Sequence, residues 1–223
     1  MKKNIIIIIL SSIICSIWAL NDAEVIQVNE IMENFAKNLG KIQLTKYLSI
    51  ENETTQFIGD NQLTFWTKVQ IDFPDNIILE FADYRIEMDS KKAYRHYHDG
   101  YFEKLSDEIA DKFRRPLKYN QIYLAKYYKK LTFKTLQTIM IDETSVYQIE
   151  IADYPATLYI NSDDYRLTKI DYLLDGKEFT KEFGEFRKFR NLYYPTKIIV
   201  TNGEDEIVSK IEVKNLSNKK APK

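Results

Sequence analysis

At Gly40 the spacing of apolar residues along this chain changes from about 3.6 to 2. Before it, Val25, Val28, Met32, Phe35 and Leu39 recur at steps of three and four, and Ile31 and Ala36 widen the stripe. That pattern is an amphipathic helix over residues 22–39. Asn21 or Asp22 can cap its start by accepting a free backbone N–H, and Gly40 can take the left-handed conformation that ends it.

Beyond Gly40 the chain reads mostly as strands. Phe65, Val69, Ile71 and Phe73 alternate with Thr64, Lys68, Gln70 and Asp72, the signature of a half-buried strand. Pro74-Asp75-Asn76 breaks it, and Ile77, Leu79 and Phe81 restart the rhythm on the way back. Tyr84, Ile86 and Met88 form another run, and Asp99-Gly100 marks a hairpin between 93–98 and 101–105. From Leu131 the alternation returns through Tyr147, Ile149 and Ile151, then Leu158 and Ile160, then Ile170, Tyr172 and Leu174. It ends with Ile198 and Val200, then Ile207, Ile211 and Val213. Asp175-Gly176 and Asn202-Gly203 are hairpin turns, the second the stronger by its flanking alternation. Short turns without intervening helices require an antiparallel sheet.

Between the two runs of strands the β rhythm stops over 106–130. Ser106 or Asp107 can cap a helix carrying Ile109 and Phe113 on one face and ended by Pro116, and a second helical piece follows from Tyr119 to Lys130. The expectation is a mainly β (α+β) domain of ten or eleven strands, whose sheet is large enough to curve strongly. Apolar residues fill one face of nearly every strand, so helices lying over the mouth would cover an apolar inner face.

The N-terminus carries Lys2 and Lys3, then an apolar stretch from Ile5 broken by serines and followed closely by Asn21 and Asp22. This reads as a signal peptide over 1–19, cut after Ala19, and is too short to span a bilayer comfortably. An uncleaved N-terminal anchor is the competing reading. Cys15 is the only cysteine. Lipidation there would place the bulky Ile13 and Ile14 where a small residue is needed, so a small hydrophobe within the leader fits it better. Residues 20–223 then form one exported, cysteine-free domain, without thiol chemistry, zinc–thiolate sites or disulfides. Loss of the two lysines takes the net charge from −1 to −3 with both signs interleaved, which offers no basic face to nucleic acid.

Motifs for catalysis are missing. There is no G-x-S-x-G elbow, phosphate loop or paired-glycine dinucleotide fingerprint. His96 and His98, the only histidines, would share one side of a strand as a metal pair does, but no third His and no mature Cys completes a set; two exposed strand residues is the plainer reading. The 33 carboxylates are scattered over polar strand faces, as solvated charge rather than acid–base pairs. No enzyme, metal or cofactor is expected. The 16 Tyr and 12 Phe suit pleated surfaces as well as a lined cavity.

Taken in order, a leader, an opening helix closed by Gly40, meandering strands with Phe73-Pro74-Asp75, a helical insertion and closing strands resemble the periplasmic lipoprotein carrier family of LolA/LolB type. The closing part carries most of this: Ile160 to Asp164, Leu167 to Tyr172, Phe183 to Arg187 with Phe183, Phe186 and Arg187 on one strand, and Tyr194-Pro195-Thr196-Lys197-Ile198. The resemblance implies an unclosed antiparallel β-barrel with a helical lid, holding acyl chains of lipoproteins or other lipids and carrying them towards the outer membrane. It implies a periplasmic monomer, an inner-membrane releasing complex and an outer-membrane acceptor as partners. On this reading Phe65, Val69, Ile71, Leu79, Phe81, Tyr147 and Ile149 are candidates to line the cavity, and Ile109 and Phe113 to form the lid. Each buried CH₂ contributes about 0.8 kcal/mol, so chains bind without chemistry. The other reading is a non-catalytic envelope module whose core is filled by its own side chains.

Overall fold

The computed structural model describes residues 20–220. The expected signal peptide with Cys15, and the last three residues of the basic tail, lie outside them.

Helix α1 (Asp22–Asn38) opens with a reciprocal cap. The Asn21 side chain accepts from the Glu24 N–H (3.0 Å), while the Glu24 carboxylate accepts from the Asn21 N–H (2.8 Å), so two otherwise free donors are satisfied. Its buried stripe is Val28, Ile31, Met32, Phe35 and Ala36. Gly40 ends the helix at φ +103°, and a Cβ there would lie 2.1 Å from the Asn191 carbonyl oxygen. Glycine is therefore required both by conformation and by close approach. The Tyr193 N–H donates to the Leu39 carbonyl (3.1 Å), which docks the helix end on a hairpin of the sheet.

Among the described residues, thirteen antiparallel strands form one sheet: β1 (Tyr47–Ile58), β2 (Asn61–Asp72), β3 (Asn76–Glu80), β4 (Tyr84–Met88), β5 (Ala93–Tyr97), β6 (Phe102–Lys104), β7 (Phe133–Ile141), β8 (Thr144–Ile151), β9 (Ala156–Asn161), β10 (Leu167–Leu174), β11 (Lys177–Phe189), β12 (Leu192–Asn202) and β13 (Ile207–Ser217). The spatial order is β6-β5-β4-β3-β2-β1-β13-β12-β11-β10-β9-β8-β7. Two meanders are thus joined at their centre by β1 against β13, with Ile50 opposite Leu216 and Thr54 opposite Ile211. The sheet stays open, as an unclosed barrel, with β6 and β7 as its two edges. Those edges are consecutive in sequence. The 28 residues from Leu105 to Thr132 must therefore cross the whole mouth, and the helical insertion does so: α2 (Asp107–Arg114), a 3₁₀ segment (Arg115–Tyr119), α3 (Gln121–Tyr127) and a last 3₁₀ turn (Tyr128–Lys130).

Two or three more strands are present than the alternation suggests, and β1 is the hardest to see. Its inward positions run Leu48, Ile50, Asn52, Thr54, so polar residues interrupt the apolar register. In β7 a bulge between Phe133 and Thr135 shifts the phase, and much of this edge strand is exposed. Asp175-Gly176 is a two-residue turn with both φ positive (52° and 76°), as the primed hairpin types require. The hairpin after Asn202 has a longer loop than an Asn-Gly pair implies. The Asn202 side chain accepts from the N–H groups of Glu204 (3.0 Å) and Glu206 (2.9 Å), and Asp205 rather than Gly203 takes the positive φ. Pro116 does not stop the chain's helical path; it stands at the start of the 3₁₀ segment, where a missing N–H goes unneeded.

Two cores result. The larger unites α1 and α3 with the inner face of β8–β13 and of β1. The smaller, Leu79, Ile86, Met88, Ala93, Leu105 and Ala110, lies under α2, and Val69 and Ile77 touch both.

Candidate functional site: a covered hollow between the two meanders

Where the halves of the sheet meet, the inner face is not completely filled. A cavity of about 90 Å³ lies between the sheet and the 3₁₀ segment. Leu117, Tyr119 and Asn120 roof it, while Ile50 and Asn52 of β1, Val69 and Ile71 of β2, Lys181 and Phe183 of β11, Tyr194 and Ile198 of β12, and Ile211 and Val213 of β13 form its walls. Strand periodicity selects them, since every second residue of five adjacent strands faces inward. Of the larger clefts open to solvent, one of about 500 Å³ carries Glu150, Asp171 and Glu178, and one of about 650 Å³ carries Arg85, His96 and His98. Neither is roofed by the insertion.

The roof has two unequal parts. In α3, Gln121, Ile122, Leu124 and Ala125 are buried, and polar side chains bind the segment to both halves of the sheet. The Asn120 amide donates to the Tyr194 hydroxyl oxygen (3.0 Å) and its carbonyl oxygen caps α3 at Ile122 (2.9 Å). Gln121 donates to the Leu167 carbonyl (3.0 Å), and the Tyr119 hydroxyl to that of Leu173 (3.1 Å). On the other side the Lys126 ammonium donates to the Thr45 carbonyl (2.6 Å), the Tyr127 hydroxyl to that of Pro74 (3.2 Å), and Gln43 to that of Ala125. Helix α2 buries Ala110 alone. Its main tie is Arg114, which donates to the Asp89 carbonyl at 2.7 Å.

Three polar groups stand in the mostly apolar wall. The Tyr194 hydroxyl is fully enclosed, and burial pushes its pKa up to about 12. Asn52 has a buried amide oxygen without a hydrogen-bond partner among the described residues. Burial lowers the Lys181 ammonium from 10.5 to about 8, and its nearest acceptor is the Tyr119 carbonyl at 3.5 Å.

The residues nominated from the sequence fall in several places. Val69 and Ile71 line the cavity. Phe65 is on the same face of β2, half-buried opposite Thr54. Leu79 belongs to the core under α2, and Ile149 is fully buried in the main core. Tyr147 is half-buried at the margin of that core with its ring stacked on Tyr165 (6.2 Å between centroids). Phe81 stacks on Tyr84 (4.7 Å) beside the outer cleft. Of the two lid residues, Ile109 is exposed and Phe113 packs on the smaller core. The His98 ring engages the Ala82 carbonyl (2.7 Å) and His96 lies 3.5 Å from Glu87. Among the described residues no three potential metal ligands gather. Lys181, Asn52, Tyr119 and Asn120 were missed. Lys181 had a readable signal: a lysine between Phe179 and Phe183, on the apolar side of an alternating strand.

No family model matches the chain, and neither does any curated protein. Solved structures do. A LolA superfamily protein from Nitrosomonas europaea superposes over 87% of this chain and 94% of its own, with a TM-score of 0.63 at 15% identity. A DUF1329 family protein from Desulfovibrio piger covers 84% and 91%, with a TM-score of 0.59 at 13% identity. A putative outer membrane lipoprotein-sorting protein domain from Vibrio parahaemolyticus covers 84% and 90%, with a TM-score of 0.58 at 10% identity. The chain has a LolA-like fold. Among the described residues no helix is long and apolar enough to cross a membrane.

Proposed function

We propose that this protein is an exported, non-catalytic carrier that takes acyl chains of a lipid or lipoprotein into the hollow between its two meanders. The observation that carries the reading is the roofed apolar cavity at the centre of an open sheet, with a covering segment held firmly at α3 and lightly at α2. The lipoprotein-sorting domain among the structural neighbours supports it. A cavity of 90 Å³ is smaller than the roughly 300–1,000 Å³ of ordinary ligand sites. Loading therefore requires the roof to lift, which breaks the Tyr119–Leu173 hydrogen bond and starts from α2, the part held least. Delivery follows when a competing apolar site accepts the chains, with a releasing complex and an acceptor membrane protein as the partners of that exchange.

The same small volume favours the second reading, a module filled by its own side chains. Incubation of the delipidated protein with diacyl-lipid vesicles, re-isolation and lipid analysis separates the two. Uptake that falls when Val69→Phe fills the cavity supports the carrier; no lipid on the wild type supports the filled module.

A further inference from the structure

Among the described residues Lys181 has no counter-ion. On β11 it lies opposite Ile170 of β10 and Val200 of β12, and Phe179 and Phe183 flank it on the same face. Its ammonium sits 5.4 Å from the centre of the Tyr172 ring. The neighbouring carboxylate Asp171 belongs to the other face, where it accepts from Thr180 (2.7 Å) and Tyr159 (2.7 Å). Glu182, next to Lys181 in the strand, points to that outer face too. The titratable groups facing Lys181 from the packed elements are the hydroxyls of Tyr119, Tyr172 and Tyr194, which are neutral at pH 7. Lys181 forms no ion pair among the described residues.

A half-buried cation without a counter-charge is costly, and this one lines the cavity. The Asn52 amide oxygen, unpaired among the described residues, is in the same wall. The ammonium suits an anion, while the apolar walls suit a hydrocarbon chain.

We propose that the hollow takes an amphiphile with one anionic head, carboxylate or phosphate, and that Lys181 receives the head while the chain lies along Val69, Ile71 and Ile198. This rests on the reading of the hollow as an acyl-chain site, and it names the class of acyl ligand: an acidic lipid rather than an uncharged one. The head pairs its negative charge with the ammonium in a charge-assisted hydrogen bond, a counter-charge that no described residue provides.

The test is titration calorimetry at pH 7 with dodecanoate, dodecyl phosphate and methyl dodecanoate on the delipidated wild type, Lys181→Met and Lys181→Arg. At least one anion should bind the wild type tenfold or more tightly than the ester. Lys181→Met should bind the anions no more tightly than the ester, and Lys181→Arg should keep the preference. The tighter of the two anions identifies the head as carboxylate or phosphate. Equal binding of anions and ester by the wild type, or anion affinity unmoved in Lys181→Met, overturns the inference and leaves the acyl-chain reading standing. If a folded wild type binds none of the three, the acyl-chain reading falls with it.

Discussion

Replacing Lys181 by methionine should make the empty protein more stable. Burial holds the ammonium at about 8 against an ordinary 10.5. Each pKa unit corresponds to about 1.4 kcal/mol, so the charged form costs the fold about 3 kcal/mol at most. The side chain keeps partial solvent contact through the cavity, which reduces this to about 2 kcal/mol. Methionine has a similar reach and fits among Phe179, Phe183 and Ile170 without a charge. The sign follows from linkage. Below pH 8 the lysine is protonated both folded and unfolded, and the whole penalty applies. Between 8 and 10.5 the unfolded chain binds the extra proton, so wild-type stability rises with pH relative to the variant. Urea unfolding of the two proteins at pH 7 should therefore differ by about 2 kcal/mol in favour of Lys181→Met, a gain of roughly 4–8 °C in melting temperature for a domain of this size. By pH 10 the difference should shrink several-fold. A variant no more stable than wild type at pH 7, or a gain that is the same at pH 10, would refute the reasoning.

Three further outcomes are expected. Gly40→Ala combines a positive φ with a clash on the Asn191 carbonyl and should lose about 2–5 kcal/mol by urea unfolding; a loss under 1 kcal/mol would show that the α1 end relaxes freely. Tyr194→Phe strips the acceptor from the Asn120 amide and should cost about 1–3 kcal/mol, with faster amide exchange across α3 and none of the change across β7. In the wild type, amides of α2 should exchange faster than those of α3 by mass-detected hydrogen exchange, because Ala110 is the only buried residue of α2; equal protection would contradict a roof hinged between them.

Much of this fold is legible in the sequence, because the period changes from 3.6 to 2 at Gly40 and back over 106–130. The antiparallel sheet and the insertion follow from that and from the turn residues, while its openness was what the family resemblance implied. What hid was local. Asn52 and Thr54 occupy inward positions of β1 and break the apolar alternation, although this strand joins the two meanders. The site was harder still. A strand pattern tells which residues share a face, but not which stretch of that face a helix covers. Leu79 and Ile149 share the inward face with Val69 and Ile71, yet they lie under α2 and in the main core, where side chains fill the space. The roof residues Tyr119 and Asn120 were unreadable as such, because their role comes from the crossing between β6 and β7. Phe179 and Phe183 put Lys181 on the apolar side of its strand, but only its neighbours across the sheet, Ile170 and Val200, show that no opposite charge faces it there.

Native mass spectrometry of the chain purified from the envelope fraction of its own host, followed by lipid extraction, bears most directly on whether the hollow carries acyl chains. A bound lipid or acylated polypeptide that survives gentle desolvation, and is absent from Val69→Phe, is the expected result. A bare protein mass, with no lipid acquired on later challenge with vesicles, would contradict it.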